Sequence, residues 1–207
     1  MNPPSAPLRF RRIDVPDAWL PVPAGLDEDR AVAWVRGVVD SLRDDWADVW
    51  DDDYEAQLLV PLLGVVSERG PEAGTLFVCW PAVSPVMVLI GVSTVPTRDV
   101  PDWGAEGYEP TYCSAAGIGP GIEWRRRRTV QFRDRPLELV TRALVFANEH
   151  RSVVVDMTET TAAFAAQVAL DLQPFVDSLE IEHEDGTRFR SGPPAGLLQP
   201  AEWGGES

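Results

Sequence analysis

Lysine does not occur in this chain, and the residues that do most of protein chemistry are scarce. Two cysteines, Cys79 and Cys113, and two histidines, His150 and His183, are spread over 207 residues. The cysteines have neither a CxxC spacing nor a neighbouring histidine, so they do not make a zinc site. Each sits in an apolar, strand-like run and reads as a buried free thiol, although sequence alone leaves a disulfide open. A histidine-based triad needs a nucleophile and an orienting acid. Nothing places Ser93 near either histidine, and Gly91-Val92-Ser93-Thr94-Val95 lacks the second glycine of a nucleophile elbow.

Phosphate loops are missing as well. Gly117-Ile118-Gly119-Pro120-Gly121 is not followed by the Lys-Ser/Thr of a P-loop, does not complete a dinucleotide fingerprint, and loses one backbone donor at Pro120. It reads as a turn. The carboxylate-rich run from Asp44 to Asp53 lacks the alternating ligands and central glycine of a calcium loop. No catalytic residue, metal or cofactor is therefore expected, and binding is favoured over catalysis. Long apolar runs are lacking too: Pro61, Pro81 and Pro85 interrupt them before they reach the length of a membrane span. The first residues, Met1-Asn2-Pro3-Pro4, show no apolar core of a secretory signal, so a cytoplasmic location is expected.

What the chain has in excess is negative charge. It carries 33 acidic residues against 18 arginines, a formal charge of −15. Such a surface repels the phosphate backbone of nucleic acid and an anionic membrane, and suits a basic protein partner. The apolar share of 44% and charged share of 25% are ordinary for a globular domain.

The spacing of apolar residues predicts an α+β fold: an antiparallel sheet of about six or seven strands covered by helices. Residues 1–8 read as a disordered N-terminus, 9–190 as one domain, and 191–207 as a disordered tail. A first edge strand is expected over Leu8–Val15. After Asp27, a good N-cap, Val32, Val35, Val39, Leu42, Trp46 and Val49 recur every three or four positions and predict a helix ending near Trp50. A second, buried helix is expected within 54–69, with Pro61 near its first turns. Strands follow at Leu76–Trp80, Val86–Val95, Thr111–Ile118, Ile122–Arg133, Leu137–Asn148 and Arg151–Thr160, with hairpin turns at Arg135-Pro136 and Glu149-His150. A helix over Thr161–Asp177 and a short strand at Leu179 and Ile181 close the domain. Helices segregated from a run of strands indicate α+β.

This layout resembles the PsbP-like fold group, which includes bacterial lipoproteins and a Ran-binding import factor. The resemblance rests on the opening Val15-Pro16-Asp17-Ala18-Trp19-Leu20-Pro21-Val22-Pro23, the run of strands, and the closing helix leading into Phe175-Val176-Asp177-Ser178-Leu179-Glu180-Ile181. It implies a non-enzymatic binding or adaptor module with no shared catalytic residues.

Two blocks of like charge are the candidate functional features. One holds Asp48, Asp51, Asp52 and Asp53, expected at the C-terminal end of the first helix, where the dipole is also negative. The other is Glu123-Trp124-Arg125-Arg126-Arg127-Arg128-Thr129-Val130-Gln131-Phe132-Arg133, which as a strand puts Arg125, Arg127, Thr129, Gln131 and Arg133 on one polar face. The leading expectation is a protein-binding or adaptor module, of immunity type, that docks a protein partner through both blocks. The alternative is a small-molecule-binding domain or enzyme that holds an anionic ligand on the arginine strand, with Trp103, Tyr108 and Trp124 lining its pocket.

Overall fold

A computed structural model describes residues 8–70 and 73–194. The fold is α+β, and every strand pairs antiparallel: β1 (Leu8–Arg12), β2 (Trp19–Pro21), α1 (Glu28–Asp45), a 3-10 turn (Ala47–Val49), α2 (Asp52–Ser67), β3 (Thr75–Cys79), β4 (Val88–Pro96), β5 (Glu109–Ala115), β6 (Gly119–Phe132), β7 (Arg135–Ala147), β8 (Arg151–Thr161), α3 (Ala162–Ser178) and β9 (Glu180–His183). The larger sheet has seven strands, within the expected six or seven. Residues divide into two compact units: 17–89, and 1–16 together with 90–207.

The helical unit, 17–89, is built on one apolar stripe from each helix. Asp27 caps α1 by accepting from the Arg30 amide, and Glu28 and Asp29 complement the dipole in its first turn. Ala31, Val35, Val38 and Val39 of α1 then meet Leu58, Leu62 and Val66 of α2, with Val22, Trp46 and Val78 completing the core. The helix expected to reach Trp50 stops at Asp45 instead. Trp46 leaves helical geometry, and a 3-10 turn carries the chain to a new helix start. Pro61 lies in the middle of α2 and not near its first turn. Its ring deprives the Gln57 carbonyl of a donor, but both residues are exposed, so water takes that place.

In the strand-rich unit the strand order is β4-β8-β7-β6-β5. The long β6–β7 ladder runs from Ile122↔Val145 to Phe132↔Arg135. Its turn is Arg133-Asp134, both with positive φ (46° and 61°), the two-residue geometry that matches the twist of a hairpin. The expected turn at Arg135-Pro136 is therefore displaced: those two residues pair with Phe132 and Gln131. Thr161 caps α3 by accepting from the Phe164 amide, and α3 packs against β5, β7 and β8 through Ala165, Val168, Leu172, Phe175 and Val176. Strand β1 pairs with β9 in a separate two-stranded sheet.

The glycines of residues 117–121 serve close packing. A Cβ on Gly117 would lie 2.0 Å from the Leu179 carbonyl oxygen, and one on Gly121 would lie 2.6 Å from the Phe146 ring. At the C-terminal side, the Ser191 amide donates to the Ile118 carbonyl and the Gly192 amide to the Ala147 carbonyl (2.8 Å each), so the chain is still anchored where a loose tail was expected to begin. The rest of the two expected disordered ends, 1–7 and 195–207, lies outside the described residues. Among the described residues no helix is long and apolar enough to cross a membrane.

Candidate functional site

The arginine strand finds its counter-charges within its own unit. Glu123, 8% exposed, accepts at Oε1 from Arg125 (Nη2, 2.8 Å) on its own strand and from Arg142 (Nε, 2.7 Å) on β7. Arg125 and Arg142 are direct cross-strand partners, an arrangement of like charges that repels; the shared carboxylate offsets that repulsion. Burial pushes the Glu123 carboxyl up, but the hydrogen bonds from Arg142 and Arg125 outweigh it and hold the group below the usual glutamate range. Arg127 pairs with Glu138 (3.2 Å), and Arg128 pairs with Glu159. The Arg126 guanidinium stands 4.7 Å over the Tyr108 ring, and that of Arg133, in the hairpin turn, 5.3 Å over Phe132. Arg142 escaped sequence reasoning because it is one arginine among the apolar residues of β7, and only the register sets it opposite Arg125.

The acidic block is explained differently. Because α1 stops early, Asp51 is not at a helix C-terminus but is the N-cap of α2, accepting from the Asp53 amide (2.9 Å). Asp52, Asp53 and Glu55 occupy the first turn, where the dipole is positive and carboxylates are stabilising. Asp48 lies in the 3-10 turn before it. The expected electrostatic penalty is thus a helix-start signal.

Beside the arginine cluster, the strand-rich unit holds a concavity of about 440 Å³. Its aromatic wall comes from the loop between β4 and β5, where Trp103 and Tyr108 are drawn together by the Tyr108 amide donating to the Trp103 carbonyl (3.0 Å). Trp124 of β6 stacks on Trp103 at 6.4 Å between ring centroids but is not among the described residues of the cavity wall. Two of the three aromatics expected to line a pocket therefore do so, and the third supports one of them.

The charged groups lining this concavity are Asp99, Arg142 of β7, which Glu123 engages, and Asp156 of β8. The ladder neighbours of Asp156 are Gly91 and Ala143, the two smallest side chains the sheet offers, which leaves a hollow around the carboxylate. A Cβ on Gly91 would lie 2.6 Å from Asp156 Oδ1. The side chain reaches solvent at the mouth, yet the surrounding protein desolvates it enough to raise its carboxyl above the usual aspartate range. Among the described residues no arginine forms an ion pair with it. Sequence reasoning missed Asp156 and Gly91; the available signal was one aspartate closing the run Ser152-Val153-Val154-Val155.

Cys79 and Cys113 are not joined in a disulfide. Burial, reinforced by the nearby Glu123 charge, pushes Cys113 up to about 12, which leaves it protonated and unreactive at neutral pH. Among the described residues no group of three or more histidine, cysteine, aspartate or glutamate side chains is placed to hold a metal ion. No family model matches the chain, and no curated protein matches it.

Proposed function

We propose that the chain is a binding protein for a small, flat molecule that carries a hydrogen-bond donor or a positive charge, held in the concavity of the strand-rich unit. The observation that carries this reading is the convergence of Trp103, Tyr108 and a desolvated Asp156 carboxyl in about 440 Å³, a volume and composition typical of ligand sites. The aromatic rings supply a slot for a planar group. Asp156 supplies an acceptor with no arginine paired to it among the described residues. This reading takes precedence over docking through the arginine strand, because carboxylates and rings of the same unit already engage those guanidinium groups. It also reverses the sign of the ligand expected from the arginines: Arg142 in this wall is taken up by Glu123, whereas the carboxylate of Asp156 is open to a ligand.

Benzamidine, flat and cationic, and benzoate, flat and anionic, separate the alternatives. Benzamidine at millimolar concentration is expected to raise the melting temperature and quench tryptophan fluorescence, and benzoate to do neither. Asp156→Asn, which keeps the shape and removes the charge, should weaken benzamidine about tenfold. Equal binding of the two probes, or benzamidine binding untouched by Asp156→Asn, overturns the reading.

A further inference from the structure

The helical unit has a larger concavity of its own, about 650 Å³. Its wall includes Trp19 of β2, Trp34 of α1, Trp46 at the C-cap of α1, and Trp80 just after β3. That is half of the eight tryptophans in the chain. Trp46 and Trp80 meet edge to face at 6.4 Å. The Trp80 indole N–H is buried and has no hydrogen-bond partner, a costly state for a donor.

Gly37 of α1 also lines this concavity, and a Cβ built there meets nothing within 4 Å. A glycine in a helix interior costs about 1 kcal/mol relative to alanine. Here it keeps the helix backbone bare at the cavity wall. The charged groups are of one sign: Asp17 and Asp45 line the concavity, and among the described residues of its wall there is no arginine. Asp45 is the last residue of α1, where the helix dipole adds to its negative potential. Aromatic faces in a negative field attract organic cations and repel anions.

We infer that this concavity binds an apolar ammonium compound, a quaternary ammonium or alkylamine whose body packs on the tryptophans. Ring faces and the carboxylates of Asp17 and Asp45 stabilise the cation. The space left by Gly37 admits its alkyl groups. The site is independent of the Asp156 concavity.

The test compares butyrylcholine with 3,3-dimethylbutyl butyrate, the same shape with carbon in place of the charged nitrogen, by calorimetry and tryptophan fluorescence on the full chain. Butyrylcholine is expected to bind about fivefold more tightly than the neutral isostere. Asp45→Asn should reduce that preference and leave the isostere unchanged. Gly37→Leu, which favours the helix while filling the cavity, should abolish binding of both probes and raise the melting temperature. Asp156→Asn should change nothing. Equal affinity for the two probes, or full butyrylcholine binding by a folded Gly37→Leu protein, overturns the proposal.

Discussion

The acidic run at the start of α2 and the arginine run of β6 look like mirror images in sequence, yet the two units dispose of them by different means. Carboxylates of residues 51–53 are answered by backbone, through amide groups at a helix start and the positive end of a dipole, while Glu55 also pairs with Arg43. Guanidinium groups of residues 125–128 are answered by side chains: Glu123, Glu138, Glu159 and the Tyr108 ring. Charge is unevenly shared as well. Residues 17–89 contain 14 of the 33 acidic residues but only 4 of the 18 arginines, so the helical unit has few cations to pair with and relies on its peptide groups. A block of like charge is therefore no measure of free charge until its local backbone is known.

The sharpest way to break this comparison is at Glu123. Its side chain is 11% exposed and that of Arg142 14%, so Glu123→Gln leaves two facing guanidinium groups without a counter-ion and should cost about 3 kcal/mol in a denaturant titration. The effect depends on pH. The folded chain holds this carboxyl below its ordinary value, so its contribution is fully present above the unfolded pKa and is lost as pH falls through the lowered folded one. The stabilities of wild type and Glu123→Gln should converge in acid; a gap that persists there contradicts the charge account. A smaller effect tests the backbone side. Asp51→Ala removes the N-cap of α2 and should cost about 1 kcal/mol, with faster amide exchange confined to the first turn of that helix. Asp51→Asn should restore most of it, since the cap needs an acceptor and not a charge. The smallest effect is expected at Arg127. It pairs with Glu138 across an exposed gap, 60% and 45% accessible, so Arg127→Ala should change stability by no more than about 0.5 kcal/mol. A larger loss would mean that the arginine strand works as one network.

Elements with a strong period were legible before any coordinates. The α1 stripe, its Asp27 cap and the three long strands all follow from spacing and residue type. The break after Asp45 was not, because Trp46 and Val49 continue the helical rhythm while the chain has already turned; hydrophobic periodicity records which side faces the core, not whether hydrogen bonds continue. The Arg133-Asp134 turn was hidden by the neighbouring Pro136, a familiar turn residue that here lies in the ladder. Trp103 and Tyr108 were recognisable as a pair of aromatics in a loop. Asp156 was not, since its role depends on the small residues across two strands from it, a relation that only register reveals.

The fit between Gly91 and Asp156 also constrains how this surface can change over generations. A methyl group added at position 91 would come 2.6 Å from Asp156 Oδ1, well inside van der Waals contact. Because Asp156 is exposed, its carboxylate can answer by turning to another rotamer. A larger residue at 91 would therefore re-aim the acid, and its effect would fall on the concavity before it fell on the fold.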